Sequence, residues 1–152
     1  GKTVILEWTN HECPFVRKHY DSSNMQSLQK QFVNDDTVWL TIISSAEGKQ
    51  GFVSGTKANA LVKDRSASPS YTLIDASGEV GRAYAAKTTP HMYIIDAAGV
   101  LRYMGGIDSI RSADPADIPK ATNYISQAMS ELAAGKAVSQ PVTKAYGCSV
   151  KY

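Results

Sequence analysis

The hydrophobic pattern changes period repeatedly along the chain. TVILEWTN (3–10) is a β-branched and apolar run, read as a buried strand. It gives way at Cys13-Pro14 to a helix, since proline suits a first helical turn, where its missing N–H has no partner to lose. PFVRKHY reads as one or two helical turns, DSSN supplies polar capping residues, and MQSLQKQF carries Met25, Leu28 and Phe32 at helical spacing, so the helix is expected to kink or break near Asp21. TVWLTIISS (37–45) is continuous enough for a central strand covered on both faces. EGKQG turns the chain, SGTKANALVKDR reads as a helix, SYTLIDASG (70–78) as a strand ending in a turn, and EVGRAYAA as a short helix. HMYIIDAAGVLRYMGGID (91–108) is a hairpin about DAAG whose second strand is ended by Gly105 and Gly106. KATNYISQAMSELAAG is an amphipathic helix closed by Gly135, and the tail from Ala137 to Tyr152 is expected to be irregular.

The order β-α-β-α-β-α-β-β-α calls for an α/β fold. A central mixed β-sheet has helices on both faces, the first crossovers being long enough to join parallel strands and the last pair antiparallel. With 152 residues, 43% of them hydrophobic, the chain can bury one core, which predicts a single domain with residues 1–136 as core and 137–152 as tail. Its 16 basic and 14 acidic residues are scattered, with no basic block, so nucleic acid is not expected as a partner. No apolar run approaches the roughly 20 residues that cross a bilayer, and membrane insertion is not expected. Only Gly1 and Lys2 precede the first strand, an abrupt start compatible with a leader or an upstream strand left out.

Two cysteines, Cys13 and Cys148, are too few for a disulfide-dense scaffold or a four-cysteine zinc site. Cys13 sits where the first strand becomes a helix. A thiol reacts as its thiolate, and a helix N-terminus offers free N–H donors and the positive end of a dipole, which lower a cysteine pKa from about 8.5 towards roughly 3.5 to 7.5. Arg17, Lys18 and His19 add positive charge within two turns, and Glu12 opposes it. The plainer reading is a buried, inert cysteine packed as a small hydrophobe. Cys148, in GCSVKY, suits a resolving role: it attacks Cys13 once that residue is a sulfenic acid or mixed disulfide, and an external thiol reductant reopens the bridge. A fixed structural bridge and a bridge to a second subunit are the other readings.

Glu7, six residues before Cys13, is either a proton acceptor near the thiol or a solvent-facing carboxylate at a sheet edge. His11 beside Cys13 raises a metal reading, but no second close Cys or His completes a ligand set, and neither metal nor cofactor is expected. Arg82 and Arg102 are available to polarise a bound oxidant or, more ordinarily, for exposed ion pairs.

Three separated stretches, EWTNHECPFV, KTTPHMYIIDAAGVLRYMGGID and KAYGCSVKY, carry a resemblance that the element order supports. The chain resembles thioredoxin-fold redoxins of the peroxiredoxin-like group, related to alkyl hydroperoxide reductase and thiol-specific antioxidant. The resemblance implies a thioredoxin-like fold in which Thr89-Pro90 is the cis-proline turn facing the active cysteine. It also implies protein thiols or disulfides, or a small peroxide, as partners, and an exported, bacterial-envelope location. The chain departs from these patterns around Cys13. A dithiol motif would place a second cysteine at Val16 or Asn10, and a typical peroxiredoxin carries threonine and proline where this chain has Asn10 and Leu6. Asn10 is then the candidate amide donor, Thr89, Pro90 and Pro14 the candidate substrate-facing residues, and Glu7, His11 and Arg17 the candidate supports. The expectation is a thiol–disulfide oxidoreductase with Cys13 as nucleophile and Cys148 as partner. Peroxide reduction is the second enzyme reading, and a binding module with structural cysteines is the reading from another class.

Overall fold

The computed structural model describes all 152 residues. In chain order its elements are β1 (Thr3–Trp8), α1 (Pro14–Asp21), α2 (Asn24–Phe32), β2 (Thr37–Ile43), α3 (Gly55–Asp64), β3 (Tyr71–Ile74), α4 (Glu79–Ala83), β4 (Thr88–Thr89), β5 (His91–Ile95) and β6 (Leu101–Gly105). A 3-10 turn (Pro115–Lys120), α5 (Tyr124–Ala133) and β7 (Cys148–Ser149) complete the chain. Five strands form one mixed sheet in the order β3-β2-β1-β5-β6. β1 runs parallel to β2 and antiparallel to β5; β2 is parallel to β3, and β5 antiparallel to β6. The first crossovers join parallel strands through helices and the last pair is the expected hairpin, whose turn is held by Asp96 Oδ1 accepting from the Ala98 and Val100 amides.

Side chains alternate across β1, so Ile5 and Leu6 serve different cores. Ile5 packs with Val16, Tyr20, Met25, Leu28, Trp39, Ile125 and Ala128, seating α1, α2 and α5 on one face. Leu6 and Trp8 pack with Ile42, Ala86 and Tyr93, with Val150 of the tail against them. The first helix breaks where DSSN stands: α1 ends at Asp21, Ser23 has φ of 62°, and α2 begins at Asn24. α5 begins at Tyr124, later than the pattern suggested, because Asn123 caps it by accepting from the Ser126 amide at 3.0 Å. No helix is long and apolar enough to cross a membrane.

The tail is irregular, as expected, with no regular element beyond the two-residue β7, and it is docked: it forms a strap tied down along its length. Met104 N–H donates to Pro141 O (2.9 Å) and Thr143 N–H to Met104 O (3.1 Å). β7 pairs antiparallel with β4, Cys148 opposite Thr89. Val150 N–H donates to Lys87 O, and Ala46 N–H to Lys151 O. Tyr152 ends the strap, its hydroxyl on Ala86 O (2.8 Å) and the Arg82 guanidinium 4.5 Å from its ring centre. Glycines admit the strap along its course, and two of them show the need clearly. Gly105 (φ 152°) faces Thr143, and Gly147 (φ 129°) is pressed on the Thr89 carbonyl; a Cβ on either would collide with those atoms.

Candidate active site

Cys13 is the N-cap residue of α1, with Pro14 in the first turn and the Cys13 amide donating to Asn10 O at 3.1 Å. This turn directs the sulfur into the protein, where Cys13 has no exposed surface. Its Sγ lies 3.2 Å from the Thr89 carbonyl oxygen and 2.7 Å from Cys148 Sγ, both cysteines being free thiols. The Thr89-Pro90 peptide bond is cis. The site is therefore assembled from three remote pieces: the β1–α1 turn, the β4 segment before Pro90, and the strap.

The two sulfurs are unlike in their electrostatics. Burial pushes the Cys13 thiol up, but hydrogen bonding from Cys148 and from the Val16 amide in the first turn outweighs it, and Cys13 sits below the ordinary thiol value. Burial, together with the hydrogen bond to Cys13 and the charge of its thiolate, pushes Cys148 up to about 11. Of the two sulfurs, Cys13 therefore has the lower pKa and Cys148 the higher. Cys148 keeps some exposed surface.

No protein-family model matches the chain, nor does any curated protein. Solved structures do. An uncharacterized conserved protein from Geobacillus kaustophilus superposes with a TM-score of 0.84 at 23% identity, over 99% of this chain and 77% of that one. A hypothetical protein from Sinorhizobium meliloti gives 0.78 at 22% identity, over 99% and 79%. The exposed lipoprotein thioredoxin of Streptococcus pneumoniae gives 0.53 at 23% identity, over 76% and 81%. The fold is thioredoxin-like. Within this thioredoxin-like frame, the cis-proline segment and the first strand-to-helix turn meet at the two sulfurs.

The other residues singled out in the sequence fall in different places. Pro14 is exposed at the start of α1, and Pro90 is buried behind Thr89. Asn10 is not an amide donor to the sulfurs: its Nδ2 reaches Gln50 O and Oε1, both at 3.4 Å, and its Oδ1 accepts from the Glu12 amide at 2.9 Å, so it shapes the turn. Glu7 is not at a sheet edge, since β1 is the middle strand. It is fully buried and accepts from Tyr20 Oη (2.8 Å), Trp39 Nε1 (2.8 Å), Gln29 Nε2 (3.4 Å) and Thr41 Oγ1 (3.4 Å). Burial raises its pKa against those four donors, so Glu7 is a carboxyl group poised to hold a proton.

His11 and the exposed Arg17 line a polar cleft with Glu12, Asp21, Gln50 and Arg65. Burial lowers the His11 pKa, and its carbonyl accepts from Arg65 at 2.9 Å. No cluster of three or more His, Cys, Asp or Glu side chains is arranged to hold a metal. Lys18 and His19 do not lend positive charge to Cys13. Both are buried and turned towards Asp108 and Tyr146, and burial lowers His19 to about 4, leaving it neutral. Arg82 stacks on Tyr152 of the strap, and Arg102 pairs with Asp96 at 2.6 Å on the surface.

Sequence reading missed Asp108, Tyr146 and Gly147. Only Gly147 left a trace, a glycine directly before the tail cysteine where close approach to another backbone was needed.

Proposed function

We propose that this protein is a thiol–disulfide oxidoreductase that cycles between a Cys13/Cys148 dithiol and a Cys13–Cys148 disulfide. The observation that carries the reading is the pairing of a depressed and a raised thiol, 2.7 Å apart, beside a cis-proline segment. Peroxiredoxin-like membership, with Cys148 resolving Cys13, is the finer form of the same reading and rests on the three sequence stretches.

The chemistry is two successive exchanges. Cys13 is covered at rest, so the strap first lifts from it; its thiolate then attacks one sulfur of an acceptor disulfide, and the other half leaves as a thiolate that takes up a proton. Cys148 then gives up its proton, attacks Cys13 Sγ in the mixed disulfide and expels the second half. The acceptor gains two electrons and two protons; the protein supplies both electrons and the Cys148 proton, and water supplies the other proton. In the return direction the strap matters. Cys13 is covered and Cys148 is not, so an external thiolate enters at Cys148 and expels Cys13, the sulfur with the lower pKa and the better leaving group. Protein thiols and disulfides are the proposed partners. An exported location is proposed with them, in keeping with the exposed lipoprotein among the proteins of like fold.

Reduction of a small peroxide is the second reading, favoured by the enclosure of Cys13, which admits a small oxidant more readily than a protein disulfide. The deciding experiment oxidises the monomer with glutathione disulfide and maps the unreduced peptides by mass. An intrachain Cys13–Cys148 peptide is expected. Finding both thiols free, or bridges only between chains, overturns the proposal. Parallel assays of disulfide reduction and peroxide consumption, with Cys13→Ser inactive in both, then rank the two substrates.

A further inference from the structure

A buried polar cluster outside the sulfur site joins the two halves of that site. Tyr146 Oη donates to Asp108 Oδ1 at 2.6 Å. Lys18 Nζ lies 3.5 Å from both Asp108 Oδ2 and Tyr146 Oη and donates to Ile110 O at 3.2 Å. His19 Nε2 completes the group, 3.4 Å from Tyr146 Oη. The Lys18 and Asp108 side chains are 0% and 3% exposed, so the ion pair is fully desolvated. These residues come from α1, from the segment after β6 and from the strap. Lys18 follows Cys13 by five residues in α1, and Tyr146 precedes Cys148 by two.

We propose that Lys18, Asp108 and Tyr146 form a positioning clasp that holds Cys148 on Cys13 in the reduced protein and so sets how readily the pair closes. The proposal rests on the dithiol–disulfide reading above. None of the three side chains is among the hydrogen-bond partners of either sulfur; they act through the backbone. Only Gly147 separates Tyr146 from Cys148, and Gly147 is itself pressed on the Thr89 carbonyl, so the lever from hydroxyl to sulfur is short and stiff. A desolvated ion pair is a costly way to add stability, since apolar residues of like volume do as well or better, but it specifies one geometry. Here that geometry brings the strap to α1. With the clasp loosened, the reduced strap gains freedom around Cys148, and closing the disulfide has to remove it again. The local concentration of one sulfur at the other falls accordingly.

The test equilibrates the protein with glutathione buffers: protein dithiol plus glutathione disulfide gives protein disulfide plus two glutathione thiols. Tyr146→Phe removes one hydroxyl and keeps the ring against Phe15, 5.9 Å away. Lys18→Met/Asp108→Leu removes both charges together. Ile125→Val, on the buried face of α5, serves as a destabilised control. The equilibrium is expected to move towards the dithiol by about fivefold in Tyr146→Phe and about tenfold in the double variant, the range expected for losing a charge-assisted hydrogen bond. Tenfold corresponds to roughly 30 mV for this two-electron couple. In a Cys148→Ser background, alkylation of Cys13 is expected to accelerate by similar factors, because a loosened strap uncovers it.

An unshifted equilibrium and an unchanged alkylation rate in folded Tyr146→Phe overturn the clasp. So does an equal shift in Ile125→Val at equal loss of stability, which marks mere destabilisation. If the double variant does not fold, Tyr146→Phe decides. A wild-type protein that forms no Cys13–Cys148 disulfide overturns the oxidoreductase reading, and the alkylation rates then decide on the clasp alone.

Discussion

Glu7 and Asp108 are both buried carboxylates, and both accept from a tyrosine hydroxyl, Tyr20 at 2.8 Å and Tyr146 at 2.6 Å. There the likeness ends. The hydrogen-bond partners of Glu7 are all neutral, so burial raises its pKa and a proton is the simplest way to relieve the charge. Asp108 has a basic partner instead, the Lys18 side chain, with Nζ 3.5 Å from Oδ2. The surroundings follow the same division. The hydrogen bonds of Glu7 come from β2, α1 and α2 and bind the sheet to the helices over it. Those of Asp108, besides a local one from the Ile110 amide at 3.1 Å, come from α1 and the strap and bind remote segments of chain. A neutral cluster holds what the core would hold anyway, whereas an ion pair selects one position for a segment that has little core of its own.

The largest effect that would sharpen this contrast is expected at Lys18. Lys18→Met leaves Asp108 buried without a counter-charge and is expected to cost about 3 to 5 kcal/mol in urea unfolding, whereas Lys18→Met/Asp108→Leu regains most of it. Equal losses in the two variants would show that the ion pair itself, and not the orphaned charge, carries the stability.

The pH dependence separates the clusters next. Because the folded pKa of Glu7 is raised, its contribution is fully present below the unfolded value of 4.5 and is lost as pH rises through the folded value. Glu7→Gln is therefore expected to gain on wild type in urea midpoint as pH rises from about 4 to about 8. His19, against Tyr146, works in the opposite sense. Its pKa is lowered from 6.5 to about 4 by burial, so its contribution is present above 6.5 and is lost as pH falls through about 4. His19→Gln is expected to lose less stability than wild type over that acid range. Parallel pH curves for all three proteins would break the contrast.

The smallest effect is expected at the exposed pair. Arg102→Ala removes a 2.6 Å contact to Asp96, yet water screens it and the expected loss is below about 1 kcal/mol in the same unfolding measurement. A loss as large as that of Lys18→Met would mean that burial is not what distinguishes the clasp.

Much of the framework was already local in the chain. Pro14 after Cys13 marked the first turn of α1, the continuous run from Thr37 marked an inner strand, Asp96 to Gly99 marked the hairpin turn, and a break was expected at the polar stretch after Asp21. Each of these signals lies within a few residues of what it specifies, because caps, turns and side-chain periodicity act over a single turn of helix or a few residues of strand. Even the placement of Cys13 at a helix start needed no more than that.

Tertiary structure alone decided which polar groups were buried and what met them. Glu7 was equally compatible with solvent or core until β1 took the middle of the sheet. Lys18 and His19 read as charges lent to Cys13 until α1 turned them to Asp108. The strap had no periodicity to announce it, since β7 is two residues long and its partner β4 lies some sixty residues earlier. The approach of Cys148 to Cys13 across 135 positions is the sum of many weak ties along the strap, each dependent on where another segment had already packed. Local sequence names the two sulfurs; only packing sets the distance between them.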